Sequence, residues 1–155
     1  MTMFDAKQIA NWFLAKHKAM MIEDDAIDPM TQMKLHKLLY YAQGVYLAVS
    51  DDRLFSNDIL HWDHGPVVEE VFQEYKGRKS IDDDITEHQL SDFRTVNSDE
   101  MVNSVLEAVY DKYAEYSGSQ LRNMTHSERP WMETKHNEVI PVELIRDYFK
   151  SEVVE

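Results

Sequence analysis

Four side chains in the sequence have the types and spacing that chemistry could use. His61 and His64 stand three apart in His61-Trp-Asp-His64, Asp63 lies between them, and His126 is available from further along. Imidazole nitrogens joined by a carboxylate oxygen are the donor set of a catalytic divalent metal that keeps one position open for water. On a helix, residues three apart share a face. Here the segment runs straight into Gly65-Pro66, where a helix is not expected to continue. The same imidazoles serve as hydrogen-bonding groups at a joint between helices. A metal-dependent hydrolase is therefore kept as the alternative, and it needs all four groups to meet in space.

Other motifs fail on their own terms. Asp82, Asp84 and Thr86 open like a calcium loop. Its sixth position is then Glu87 where a Gly must turn the chain, and its twelfth is Phe93 where a bidentate Glu is needed. No Gly-rich phosphate cradle, serine nucleophile elbow or HExxH helix is present. With 0 Cys, thiolate metal sites, cysteine nucleophiles and disulfides are excluded together, which fits a reducing compartment. The reading is a protein that is not an enzyme, with no catalytic residues, no cofactor and no bound metal.

Charge narrows the partners. Sixteen basic against 29 acidic residues give a net charge of −13, which repels nucleic acid. Solubility is the ordinary use of such a surface; a basic protein partner and mimicry of a nucleic acid are the sharper ones. No stretch approaches the roughly 20 apolar residues of a membrane helix. Met1-Thr-Met-Phe-Asp5 places an acid where a secretory signal needs cations. The expectation is a cytoplasmic protein with neither nucleic acid nor membrane as partner. Nine Met either fill core gaps or build an adaptable binding face.

The elements that must position these groups are amphipathic helices. The first spans Ala6 to Met21, with Ile9, Ala10, Trp12 and Phe13 on one side, and ends in an acidic break before Pro29. Thr31 caps a second helix to Val49, whose stripe is Leu35, Leu38, Leu39, Ala42, Tyr46 and Val49. Tyr40, Tyr41, Val45 and Leu47 widen that stripe until the helix is apolar nearly all round, so it must be central. Asp51 to Gly65 is irregular, with an extended stretch at 59–62. Pro66 is predicted to open the next helix, with Val68, Val71, Phe72 and Tyr75 inward and Gly77 stopping it. Residues 78–97 are the hardest to read, with one short helix from Thr86. Ser98 is predicted to cap a helix with the stripe Val102, Val105, Leu106, Val109, Tyr110 and Tyr113. A short helix with Leu121 and Met124 follows Ser117-Gly118, a turn runs from Trp131 to Lys135, and Pro141 opens a last helix with Val142, Ile145, Tyr148 and Phe149 inward. The predicted fold is all-α: one compact domain over 1–155, about six or seven helices around a central buried helix at 31–49, and at most a short extended segment near 59–62.

Three segments in register are more specific than any single motif. They are Lys34-Leu-His-Lys-Leu-Leu-Tyr-Tyr-Ala-Gln-Gly44, then Trp62-Asp-His-Gly65-Pro66-Val-Val68 leading to Tyr75-Lys-Gly77, and Thr125-His-Ser-Glu-Arg-Pro130-Trp131. In this order they resemble the Panacea domain, also called the SocA-like antitoxin domain, from the first helix to Tyr148-Phe149. The resemblance implies an all-helical antitoxin encoded beside a toxin gene in bacteria and phages. It implies neutralisation of that cognate toxin by direct protein contact, and for some members delivery of the toxin to an ATP-dependent protease; a phage accessory protein that binds a host factor stands beside the hydrolase as an alternative. This chain departs from the family pattern at His64, where Tyr is common before the Gly, and at Tyr116-Ser117-Gly118, where a Tyr-Gly pair is common. Both lie near joints, so they leave the identity of the toxin open. The residues expected to face the partner are Tyr40, Trp62, His64, His126 and Trp131, because Trp and Tyr dominate interface energetics. Core and turn architecture is the plainer use of the same side chains.

Overall fold

The computed structural model describes residues 3–154. In chain order these form α1 (Ala6–Glu23), β1 (Met30–Thr31), α2 (Gln32–Ser50), β2 (Leu60–Trp62), β3 (Gly65–Val67), α3 (Glu69–Tyr75), β4 (Ser80–Ile81), α4 (Glu87–Asn97), α5 (Glu100–Tyr113), α6 (Gly118–His126), α7 (Arg129–Met132) and α8 (Val142–Glu152). The all-α class holds. The helices among the described residues number eight, because α4 and the single turn α7 are separate elements.

Helix α2 is the axle. Thr31 caps it by accepting from the Lys34 N–H, and its buried side chains include Leu35, Leu38, Leu39, Tyr40, Tyr41, Ala42, Tyr46 and Leu47. It packs against α1, α5, α6 and α8. Val49, the last of the predicted stripe, is exposed, since the helix ends at Ser50 and Asp51 turns the chain away with φ 63°. Gly44 admits the Phe149 ring of α8 so closely that a Cβ there would overlap it.

Segment 78–97 proves to be the partner of α1. Thr86 and Gln89 form a capping box that starts α4. Asn11 Nδ2 donates to Asp92 Oδ2 at 2.7 Å, Trp12 Nε1 donates to Asn97 Oδ1 at 2.6 Å, and Trp12 stacks on Phe93 at 5.7 Å. Only Asp92 and Val96 of α4 are fully buried, so its apolar period was too thin to read.

Three predicted boundaries need correction. Pro66 does not open a helix. It lies in β3, paired with His61 across a hairpin whose two-residue turn is Asp63-His64, and α3 starts at Glu69. The His61 N–H donates away from Pro66, to the Glu138 carbonyl at 3.0 Å, so this is a pair in which the missing proline N–H costs nothing. Ser98 does not cap α5: Asp99 does, accepting from the Val102 N–H, while Ser98 closes α4. The turn expected from Trp131 begins two residues earlier, at Arg129, because Pro130 fits the first turn of a helix. The extended stretch at 59–62 also gains a partner on each edge, with β3 on one side and residues 137–140 on the other. No helix among the described residues is long and apolar enough to cross a membrane.

Candidate partner-binding site

The hairpin β2–β3, the α6–α7 joint and the first turns of α2 meet at one side of the molecule. Trp131 is the hub of the joint. His61 stacks on it with ring centroids 4.0 Å apart and His126 at 3.9 Å. Burial lowers the affinity of His126 for a proton, and the positive charges of Arg122 and Lys37 act in the same sense. Its neutral form is thus favoured where it lies flat against the indole.

Beneath this stack sits Glu128, buried, accepting from the Tyr40 hydroxyl at 2.9 Å and the Tyr41 hydroxyl at 2.8 Å. Burial raises the Glu128 carboxyl above its ordinary range, and the two hydroxyl donors work against that rise. Both tyrosines are pushed far up by the same burial and by the neighbouring carboxylate, so they remain donors.

Between the hairpin and the first turns of α2 lies a groove of about 620 Å³. Trp62 and Phe72 meet edge to face in its lining at 5.0 Å, with Met33 and Val67 adding apolar surface. Lys37 lies under its floor, 1% exposed, and its ammonium donates to the Pro66 carbonyl at 3.2 Å. Burial pushes the Lys37 amine down to about 7. Gly65, with φ 106°, leaves the space that the lysine chain fills: a Cβ there would stand 2.7 Å from Lys37 Cε. His36 is held neutral beside it, accepting from the Val68 N–H at Nδ1 (3.3 Å), and burial pushes it down to about 3.

The five residues predicted to face a partner separate here. Trp62 and His64 line the groove, and His64 is exposed. His126 and Trp131 are half-buried in the stack and do not line the groove. Tyr40 is 0% exposed and its hydroxyl is used by Glu128, so it stands in the core, because α2 is enclosed on every side. The groups weighed for a metal do not converge. Asp63 pairs with His136 at 3.3 Å, His61 and His126 face Trp131, and among the described residues no three His, Asp or Glu are placed to hold an ion.

Sequence reasoning passed over Lys37, His36 and Glu128. A cation and an imidazole inside an otherwise apolar helix were the available signal for the first two. Five buried side-chain nitrogens here lack a hydrogen-bond partner: His61 Nδ1, His126 Nε2, and the Nε atoms of Trp62, Trp131 and Arg122. Such groups are rare in folded proteins.

Residues 35–132 match a family described as "Antitoxin SocA-like, Panacea domain". That span covers more than half of the chain and leaves α1 and α8 outside it. No curated protein and no solved structure matches.

Proposed function

The chain belongs to the SocA-like Panacea family of antitoxin domains, and from that premise we propose that it is the antitoxin of a type II toxin–antitoxin pair, neutralising a cognate protein toxin by direct binding. The family match carries this reading, and three features of the site support it. The groove pairs an apolar wall of Met33, Trp62, Val67 and Phe72 with polar groups at its rim, as a protein interface does. Trp62 offers the large amphipathic side chain that dominates binding energy at such surfaces. The net charge of −13 suits a basic toxin, because complementary charge speeds encounter. On this reading residues 1–155 act in the cytoplasm as one binding unit, without catalysis of their own. Delivery of the bound toxin to an ATP-dependent protease belongs to the same proposal. It predicts a toxin half-life that shortens when the antitoxin is co-expressed.

The deciding experiment is growth of cells that express the adjacent open reading frame, with and without this protein. Arrested growth restored by co-expression is the expected result. A harmless neighbour, or toxicity that co-expression leaves untouched, overturns the reading. The hydrolase alternative has no observation in its favour: His61 and His126 stack on Trp131, Asp63 pairs with His136, and among the described residues no three His, Asp or Glu are placed to hold an ion.

A further inference from the structure

The charge of the groove is opposite in sign to that of the molecule around it. Arg78 on its rim is spent on Asp83, in two contacts of 2.8 Å, and Asp63 faces His136. Among the described residues, Lys37 and Lys79 are the charged groups of the lining that form no ion pair. One is buried under the floor and the other exposed on the rim. When protonated, the Lys37 amine, whose one acceptor is a carbonyl, raises the potential of the apolar surface above it, where little water screens the field. A basic segment is repelled from such a floor, and a purely apolar one leaves the charge uncompensated.

Resting on the antitoxin reading, we infer that the groove takes an extended segment of the toxin in which a large apolar side chain stands next to a carboxylate. The apolar side chain packs on Trp62 and Phe72, and the carboxylate lies over Lys37 and within reach of Lys79. The acidic outer surface and this cationic groove then do different things. The surface draws in a basic protein, and the groove selects the one acidic, apolar stretch of it. Near-neutral titration of the Lys37 amine sharpens the selection, because an incoming carboxylate favours its protonated form.

A random dodecapeptide library displayed on phage, panned against the full-length protein and in parallel against Lys37→Met and Lys79→Glu, tests this. Wild type should enrich peptides with Glu or Asp beside Phe, Trp, Leu or Ile. Lys37→Met, close in volume and checked by its thermal melt, should bind the enriched peptides about tenfold more weakly or worse. Lys79→Glu, an exposed change that leaves the fold intact, should cost roughly two- to five-fold. Enrichment of basic or wholly apolar peptides, equal binding by both variants, or no enrichment by wild type over Lys37→Met overturns the inference. The neighbour-gene assay reads the underlying proposal separately: rescue without acidic–apolar enrichment sinks the groove specificity alone, and enrichment without rescue sinks the toxin as its target.

Discussion

The Tyr41 hydroxyl donates to Glu128 Oε2 at 2.8 Å, joining the middle of α2 to the α6–α7 joint across 87 residues of sequence. Tyr41 also stacks on Tyr113 of α5 at 3.9 Å, and Tyr40 donates to the other oxygen of the same carboxylate. Glu128 lies three residues before Trp131. The clamp therefore sets where Trp131, and with it His61 and His126, sits. A buried carboxylate with two good donors is stable only while both are present.

Removing either donor should destabilise the fold measurably. Tyr41→Phe leaves one carboxylate oxygen without its hydroxyl and should cost about 1.5–3 kcal/mol, the range for hydrogen bonds to charged groups. Tyr40→Phe should do the same, and the two together should be non-additive because they share Glu128. Urea unfolding of the two single variants and the double variant is the measurement. Strict additivity would mean that the carboxylate does not couple them.

Acid should unfold the protein earlier than its carboxylates alone would require. His36 accepts the Val68 N–H at Nδ1, and its buried ring is held down to about 3, first by desolvation and then by the Lys37 charge. In the unfolded chain it titrates near 6.5. Between these values the unfolded state binds a proton that the folded state refuses, so stability is lost as pH falls from 6.5 towards 3. His17, also pushed down by burial, adds to the same slope. His36→Gln keeps an acceptor and should flatten this limb in a series of urea melts. An unchanged slope would remove His36 from the account.

The Lys37 amine produces a slope at higher pH. Its ordinary value of 10.5 falls to about 7 in the fold, so between those points the unfolded chain holds the proton and the folded chain does not. Wild-type stability should therefore rise with pH across this window. Lys37→Met has no such term, and its stability relative to wild type should be greatest below pH 7 and shrink towards pH 10.

How much of this was legible in the sequence differs element by element. The six-residue stripe of α5 and most of that of α2 could be read residue for residue, because deep burial leaves an unbroken 3.6-residue period. Helix α4 could not, because it covers Trp12 with a shallow face and relies on Asn97 and Asp92 to hold α1. Pro66 misled for a related reason: its fixed φ suits a helix start and an edge-strand position alike, and only pairing with His61 decides between them. At the site, residue type alone pointed to Trp62 and His64, which line the groove, and to His126 and Trp131, which stack on each other outside its lining. Lys37 showed only as a cation inside an apolar helix and Glu128 gave no signal, since their roles come from burial against residues far along the chain.

The Gly44–Phe149 contact should be a sharp test of α8 packing. Gly44→Ala places a methyl inside the ring and should cost about 1–3 kcal/mol by overpacking. Combining it with Phe149→Leu makes room, so the double variant should be more stable than the sum of the single losses predicts. Thermal melts of the four proteins decide it, and plain additivity would show that α8 simply moves aside.

Two tryptophans should separate binding from folding. Trp62 is half-buried, walls the groove and leans on Phe72 alone among the rings, while its strand is held by backbone bonds of the hairpin. Truncating it should leave the melting behaviour close to wild type and weaken the toxin complex by about 2 kcal/mol or more, roughly thirtyfold in Kd. Trp131 is the ring on which His61 and His126 both rest. Trp131→Ala should lower stability by on the order of 2 kcal/mol, because two imidazoles lose their packing at once. Calorimetric titration against the purified toxin, together with thermal melts, places each variant. If Trp62→Ala binds and rescues growth as wild type does, the toxin sits elsewhere, and the groove is not its interface.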